Sequence, residues 1–259
     1  MLSYQHAYHA GNAADVHKHA ALAWVLDYLA QKDKPLTYLE THAGRAVYDL
    51  AGPEAAKTGE AAAGILALEG RIDPGHPFRR TLERLRTLHG ASAYPGSPLI
   101  AALMLRPGDR MHLCELHPAE AAALRSSMAP HGAHVLQAEG MATALSLMPP
   151  TPRRGLCLID PSWEVKDDYA AVPRTMQAMA RKWNVGILML WYPLLRSELH
   201  LPMLEALAAA FPAGLRHEIR FPPARAGHGM RGSGLFVVNP PWGLDAALAA
   251  IAGAITGKD

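Results

Sequence analysis

The chain has 259 residues, 50% of them hydrophobic, 19% charged and 7% aromatic, and its formal net charge is +2 with 14 histidines neutral. This composition excludes a disordered, collagen-like or coiled-coil chain and suits one α/β domain, alone or with a small insert. Mild basicity permits an acidic partner without demanding one, so any anion site must come from local clustering. Cys114 and Cys157 sit inside apolar runs with no CxxC pattern, which points to a reducing compartment. No signal-peptide core is visible at the N-terminus, and the strongly apolar run 185–195 is shorter than the about 20 residues of a membrane span. A soluble cytoplasmic protein is expected, without a membrane partner.

In chain order, a helix is predicted over Ala13–Ala30, capped by Asn12 or Asp15, and a buried strand over Leu36–Thr41. The next strand, Met111–His117, comes late. Glu40 and Glu115 lie 75 positions apart, whereas a βαβ unit takes about 30 residues. An insertion is therefore placed between Val47 and Pro95, with helical patterns at Glu54–Glu69 and Phe78–His89. The second pattern carries Arg79, Arg80, Arg84 and Arg86, which read either as a solvated face or as an RNA-facing arm. Helix Pro118–Met128, strands His134–Glu139 and Gly155–Asp160, helix Tyr169–Lys182, strand Val185–Trp191 and helix Leu199–Phe211 follow. The strands are near-continuously apolar rather than alternating, as a sheet covered on both faces requires, and their alternation with helices makes a parallel, doubly wound sheet. The runs Arg216–Phe221 and Gly234–Asn239 have no helix between them and read as a closing antiparallel hairpin.

The strongest local signal is Asp160-Pro161-Ser162-Trp163 directly after a buried strand. It is similar to the D/N-P-P-Y/F/W signature of methyltransferases that act on exocyclic amines. A carboxylate and the Pro161 carbonyl can accept hydrogen bonds from both N–H groups of an adenine amine and draw its lone pair out of the ring. Trp163 offers a flat face for a base swung out of its stack. The alternative is a strand-ending turn whose Asp caps a helix. Asn239-Pro240-Pro241-Trp242 matches the signature more literally. It ends an antiparallel strand, though, and so falls at the edge away from the carboxyl ends where such sheets bind ligands. It is expected to be a structural turn. Glu40, Glu115, Glu139 and Asp160 end successive strands and should form an acidic row along one edge, Glu115 taking ribose hydroxyls. Gly44 lacks the further glycines of G-x-G-x-x-G, which argues against a nicotinamide dinucleotide. The polar N-terminal stretch with Tyr4, His6, His9, Asn12, Asp15, His17, Lys18 and His19 leaves three readings open. These are a metal site, a surface helix start, or a lid over cofactor and substrate in which Lys18 meets a carboxylate. His17 and His19 diverge on a helix, so no metal is expected.

Taken together, the chain resembles the ribosomal RNA large subunit methyltransferase J family. The matching blocks are His6–Asn12, Asp15 with Lys18-His19, Lys32–Pro35, Tyr38–Gly44, Tyr48, Tyr94–Ala101, Glu115–Pro118, Arg153–Gly155, Leu158–Pro161, Trp191–Pro193 and Val238–Trp242, with Tyr4 before them. The resemblance implies an α/β fold of the class I type that uses S-adenosylmethionine (SAM). Its Rossmann-like seven-stranded sheet would have the last strand antiparallel, with a small helical insertion. Residues 1–46 and 96–259 would form the methyltransferase domain and 47–95 the insert, with 1–12 a mobile tail. The implied reaction is methyl transfer from SAM to N6 of one adenine in unassembled 23S rRNA, by a monomer, with S-adenosylhomocysteine as product. The resemblance further implies that Asp160 is catalytic, and that Lys18, His19, His42, Ser97, Glu115, Glu139 and Gly140 hold the cofactor. Tyr4, His6, Pro161 and Trp163 would meet the substrate. A loop at Pro222–Ser233 with Arg225, His228 and Arg231 adds a candidate RNA contact. Ser162 and Trp163 depart from the usual Pro and Tyr, which frees Pro161 from the pre-proline restriction and forfeits rigidity worth about 0.4–1 kcal/mol. The family's second glycine after Gly44 is also missing. The rivals are a DNA adenine-N6 methyltransferase, an RNA-binding descendant without turnover and a histidine-cluster metalloenzyme.

Overall fold

The structure, a computed structural model, describes residues 5–222 and 229–257. Asn12 accepts from the backbone N–H of Asp15 at 2.9 Å and so caps helix α1, which spans Ala13–Ala30 as expected. After strand β1 (Thr37–Glu40) comes a segment bounded by two short strands, β2 (Val47–Asp49) and β3 (Ala93–Pro95), which pair antiparallel. The single helical pattern expected at Glu54–Glu69 is instead three short helices, α2 (Pro53–Thr58), α3 (Glu60–Ala63) and α4 (Ile65–Leu68). Gly59 adopts φ +66° and ends α2, and a Cβ on Gly64 would overlap the backbone of Gly11 and Asn12. The second glycine is what lets the segment lie against the start of α1. Helix α5 (Pro77–His89) completes it.

Three helices were not visible in the sequence, because their apolar faces merge with Ala-rich surroundings: α6 (Ser97–Met104), α8 (Gly140–Leu147) and, at the end, α11 (Leu244–Thr256). Strand β4 (Arg110–Cys114), helix α7 (Pro118–Met128), strand β5 (His134–Leu136) and strand β6 (Gly155–Ile159) precede helix α9 (Asp168–Lys182). Strand β7 (Ile187–Leu195), helix α10 (His200–Ala210), strand β8 (Leu215–Arg220) and strand β9 (Met230–Val238) follow. Strands β4 and β5 stop short of the expected ends, leaving Glu115 and Glu139 beyond them, and β7 runs four residues past Trp191. Strand β9 starts at Met230, so Arg231 and Ser233 belong to a strand rather than to the loop proposed from sequence. Arg225 and His228 lie outside the described residues.

The seven-stranded sheet has the order β5-β4-β1-β6-β7-β9-β8. Strands β1, β4, β5, β6 and β7 are parallel, and β9 runs antiparallel to both β7 and β8. One face carries Tyr38, Met111, Leu113, Leu156, Leu158 and Met189 against α1, α6 and α11. The other carries Leu39, Cys157, Ile159, Leu188 and Leu190 against the helices of the α8–α10 side. Each fully buried Leu or Ile in these layers contributes about 1.5–3 kcal/mol. Every residue from Ala14 to Ala23 of α1 is buried. That overturns the reading of His17 and His19 as a surface helix start: α1 is an interior helix, and its polar first turns face other buried groups. Among the described residues no helix is long and apolar enough to cross a membrane.

Candidate active site

Because β5, β4, β1 and β6 are parallel neighbours in that order, their carboxyl ends bring Glu139, Glu115, Glu40 and Asp160 to one edge, as the row in the sequence anticipates. Each acid has different surroundings. Glu40 is fully buried; it accepts from Tyr38 OH at 2.8 Å and from the Ser97 hydroxyl. Burial pushes it up to about 8, against the opposing hydrogen bonds from Ser97 and Tyr38. Glu115 accepts from Gly44 N–H at 2.9 Å and His117 N–H at 2.7 Å, which ties the turn after β1 to the turn after β4. Glu139 caps α8 by accepting from the N–H groups of Met141 (2.9 Å) and Ala142 (2.7 Å).

Asp160 lies just past β6 and is 13% exposed. Lys18 reaches it from α1, with Nζ 2.6 Å from Asp160 Oδ2 and 3.1 Å from Asp15 Oδ1. Burial alone would favour the neutral amine; the Asp160 and Asp15 carboxylates more than reverse this and raise the Lys18 ammonium above its ordinary range. Burial likewise works against the Asp15 carboxylate, yet His6, Lys18 and His19 hold it well below its ordinary value. Asp15 also accepts from Gly11 N–H and His6 Nε2, each at 2.9 Å. His6, Lys18 and His19 of the N-terminal motif thus converge on one buried carboxylate, and through Lys18 on Asp160, while His9 and Asn12 meet a second, Glu60, in α3. The sequence offers Asp15 as a possible helix cap and as a member of the polar N-terminal stretch, without a site role of its own; its spacing from Lys18, one turn away, is the signal for that role.

The remaining expected residues sit around this edge. His19 is buried, with Nδ1 2.9 Å from Tyr94 OH. His42 is half-buried, its Nδ1 2.8 Å from Thr41 Oγ1. Ser97 opens α6 facing Glu40. Gly140 lies so close to β1 that a Cβ there would overlap the Thr41 carbonyl. Gly140→Ala should therefore displace α8 or β1 and cost about 3 kcal/mol, the upper end for overpacking, because a backbone carbonyl yields less than a side chain. Urea unfolding reads this directly, and a loss under 1 kcal/mol would contradict the contact. Ala46, where the family's second glycine is expected, holds φ 71° while buried. The bidentate Arg45–Glu120 pair (2.5 and 2.9 Å) ties this turn to α7.

Pro161 is buried and Ser162 exposed, and Trp163 turns inward at φ 60°, 7% exposed, its ring 4.6 Å from that of Tyr169. The expected flat face is thus covered by Tyr169 in this structure. The second signature behaves as the strand direction requires. Val238 pairs with Leu188 near the start of β7, and Asn239 Nδ2 donates to the carbonyls of Asn184 and Gly186 at the opposite edge. Asn239–Trp242 is a structural turn. The α5 arginines are engaged within the protein. Arg79 meets the Glu69 carbonyl, Arg80 meets Asp27, Arg84 meets the Leu103 carbonyl and Arg86 meets Glu69. They fasten α5 to its surroundings, which does not favour an RNA-facing arm. Tyr4 lies outside the described residues. Among the described residues no group of three or more His, Cys, Asp or Glu side chains is placed to hold a metal ion.

These buried groups make stability pH-dependent. Burial pushes His17 and His19 down to about 3. Their contribution is present above their unfolded value of about 6.5 and is lost as pH falls toward 3. Glu40, raised to about 8, acts oppositely: its contribution is full below about 4.5 and is lost as pH rises to 8. Each group changes stability by about 1.4 kcal/mol per pH unit within its window. The three together place a maximum near pH 6.5, with a net loss of about 1 kcal/mol from there to pH 8, because the two histidines recover part of their contribution over the same range. Urea unfolding across pH 5–9 should show that loss in the wild type and not in Glu40→Gln.

Sheet order, the antiparallel β9 and the acidic carboxyl edge define a class: this is a Rossmann-like methyltransferase of the class I type. A methyltransferase from Agrobacterium tumefaciens described as SAM-dependent shares the fold at a TM-score of 0.51 and 12% identity, over 87% of this chain and 62% of that one. A family described as ribosomal RNA large subunit methyltransferase D, RlmJ, matches residues 33–258. The proteins named ribosomal RNA large subunit methyltransferase J of Escherichia coli (strain K12) and Haemophilus influenzae are 38% and 37% identical, each over 95% of this chain and 89% of the relative. A Legionella pneumophila crystal structure superposes at a TM-score of 0.87 with 33% identity, covering 96% of this chain and 94% of that one. The chain belongs to this large-subunit ribosomal RNA methyltransferase family.

Proposed function

We propose that this chain transfers a methyl group from SAM to N6 of a specific adenine in 23S rRNA, before the large subunit is assembled. The observation that carries the reading is Asp160 at the carboxyl edge, paired through Oδ2 with buried Lys18. The residues present suit the cofactor. Glu115 and Glu139 each spend one lone pair per oxygen on backbone N–H groups and retain acceptor capacity for hydroxyl and amine donors. Gly140 leaves α8 pressed on the end of β1 with no side chain between. His19, His42, Ser97 and Lys18 complete the wall.

When bound, SAM supplies an electrophilic methyl group on a sulfonium. Asp160 Oδ1 and the Pro161 carbonyl accept the two N–H groups of the target amine, which turns its lone pair out of the ring and gives the departing proton an acceptor at Oδ1. Lys18 fixes the carboxylate's orientation by holding Oδ2. Tyr4 and His6, at the start of the chain, approach the base, and Trp163 turns from Tyr169 to stack on it. Residues 47–95 act as an inserted helical subdomain on the domain made of 1–46 and 96–259. The protein works in the cytoplasm as a monomer, without a metal.

The test is transfer of labelled methyl from SAM to an unmodified 23S transcript, beside double-stranded DNA and an Asp160→Ala variant. N6-methyladenosine in RNA that disappears in the variant supports the reading, and label only in DNA replaces the substrate. One observation favours a rival, RNA binding without turnover: Trp163 is covered by Tyr169 next to the unusual Ser162. Protein that binds SAM and RNA yet labels neither nucleic acid would establish that rival.

A further inference from the structure

Beneath the Lys18–Asp160 pair lies a chain of buried and half-buried hydrogen bonds that the reaction as described does not use. The Lys18 ammonium sits 5.4 Å from the centre of the Trp191 ring, on β7. Trp191 Nε1–H donates to Ser233 Oγ at 2.9 Å. Ser233, on β9, is fully buried, and its Oγ is also 2.9 Å from His17 Nδ1. His17 Nε2 is in turn 3.0 Å from His217 Nδ1, on β8.

The direction of this chain follows from the chemistry of its first member. An indole N–H can only donate. Ser233 therefore accepts from Trp191 and has its own proton left for His17 Nδ1. His17 then carries its proton on Nε2 and donates to His217 Nδ1, and His217 keeps its own on Nε2. Both tautomers are set by the tryptophan. A reversed chain would aim two donors at Ser233 Oγ and leave a buried hydroxyl proton without an acceptor among the described residues. We infer that Trp191, Ser233, His17 and His217 form a one-directional relay that holds the Trp191 ring beneath Lys18, making Ser233 and His17 positioning residues for methyl transfer. This rests on the reading of Asp160 above.

The relay ends at a half-buried group, which gives it a pH signature. A proton added to His217 Nδ1 would face the His17 Nε2–H, and the last bond would break. Burial moves His217 below the ordinary histidine range, with Glu218 beside it on β8 opposing this only in part, so the proton is taken up on the acid side of that range; α1 presents His17 while Lys18 is turned to Asp160. The other packed elements carry one charged residue each, Arg231 on β9 and Asp245 on α11. His17 is held neutral by its burial.

The experiment measures kcat and KM with the 23S transcript for Ser233→Ala, Ser233→Thr, Trp191→Phe and the Ser233→Ala/Trp191→Phe double variant, each checked for wild-type unfolding. The expected result is a roughly tenfold fall in kcat for Ser233→Ala and for Trp191→Phe, with KM values for SAM and RNA within twofold. The double variant should be no worse than either single one, and Ser233→Thr should recover most of the rate. Wild-type kcat should also fall below neutral pH in a step that His217→Gln lacks. If Asp160→Ala is inactive while Ser233→Ala and Trp191→Phe keep wild-type kcat, the relay is overturned and the active-site reading stands. If Asp160→Ala retains full transfer, the reading beneath the relay fails instead.

Discussion

Asp160→Asn is expected to lower methyl transfer by about 10²- to 10⁴-fold, the range for a group that accepts a proton in the reaction, while leaving the fold in place. Asparagine keeps the shape, and its carbonyl oxygen can still receive Lys18. It loses the charge, and it can leave an N–H rather than an acceptor facing the amine. Lys18 keeps Asp15 at 3.1 Å as its counter-ion, so the variant does not strand a buried ammonium. Single-turnover transfer to the 23S transcript, with SAM binding measured separately, separates chemistry from cofactor affinity. A variant within threefold of wild type would remove Asp160 from the mechanism.

Lys18→Met should instead cost stability. Methionine fills similar space in the buried first turns of α1, but it leaves Asp15 and Asp160 without the cation they share. Breaking a buried pair by removing one partner costs about 3–5 kcal/mol. Asp15 retains its bonds from Gly11 N–H and His6, so the lower part of that range is expected. If a proton on Asp15 relieves the cost, the deficit should shrink as pH falls, and urea unfolding at pH 7 and pH 5 would show it. A loss below 1 kcal/mol at pH 7 would mean that Lys18 contributes little to the stability of this cluster.

How much of this was legible in the sequence depended on whether the signal was local. The five parallel strands could be located from their largely apolar runs, although β5 at the edge of the sheet is exposed or half-buried rather than buried, and α1, α7 and α9 stood out as helical stretches. Their alternation is enough to require a parallel sheet, and from that alone Asp160 falls at its carboxyl edge and Asn239–Trp242 at the other. Composition could not separate α6, α8 and α11 from Ala-rich surroundings, because their apolar faces contrast little with the rest of each helix. The breaks in α2–α4 rest on Gly59 and Gly64, whose meaning depends on what approaches them.

The candidate site divides in the same way. The acids at strand ends, the Asp160–Trp163 turn and the polar start of α1 are properties of contiguous residues, so the sequence by itself determined that an acidic edge and a methyltransferase-like turn exist. That Lys18 meets Asp160, 142 positions away, and that His17 meets Ser233, 216 positions away, was decided only by the tertiary structure. A side chain's partner in a buried polar network depends on which strands become neighbours and on which face of a helix is pressed against them. It also depends on the requirement that each buried donor find an acceptor. None of these is a property of the residues adjacent in the chain.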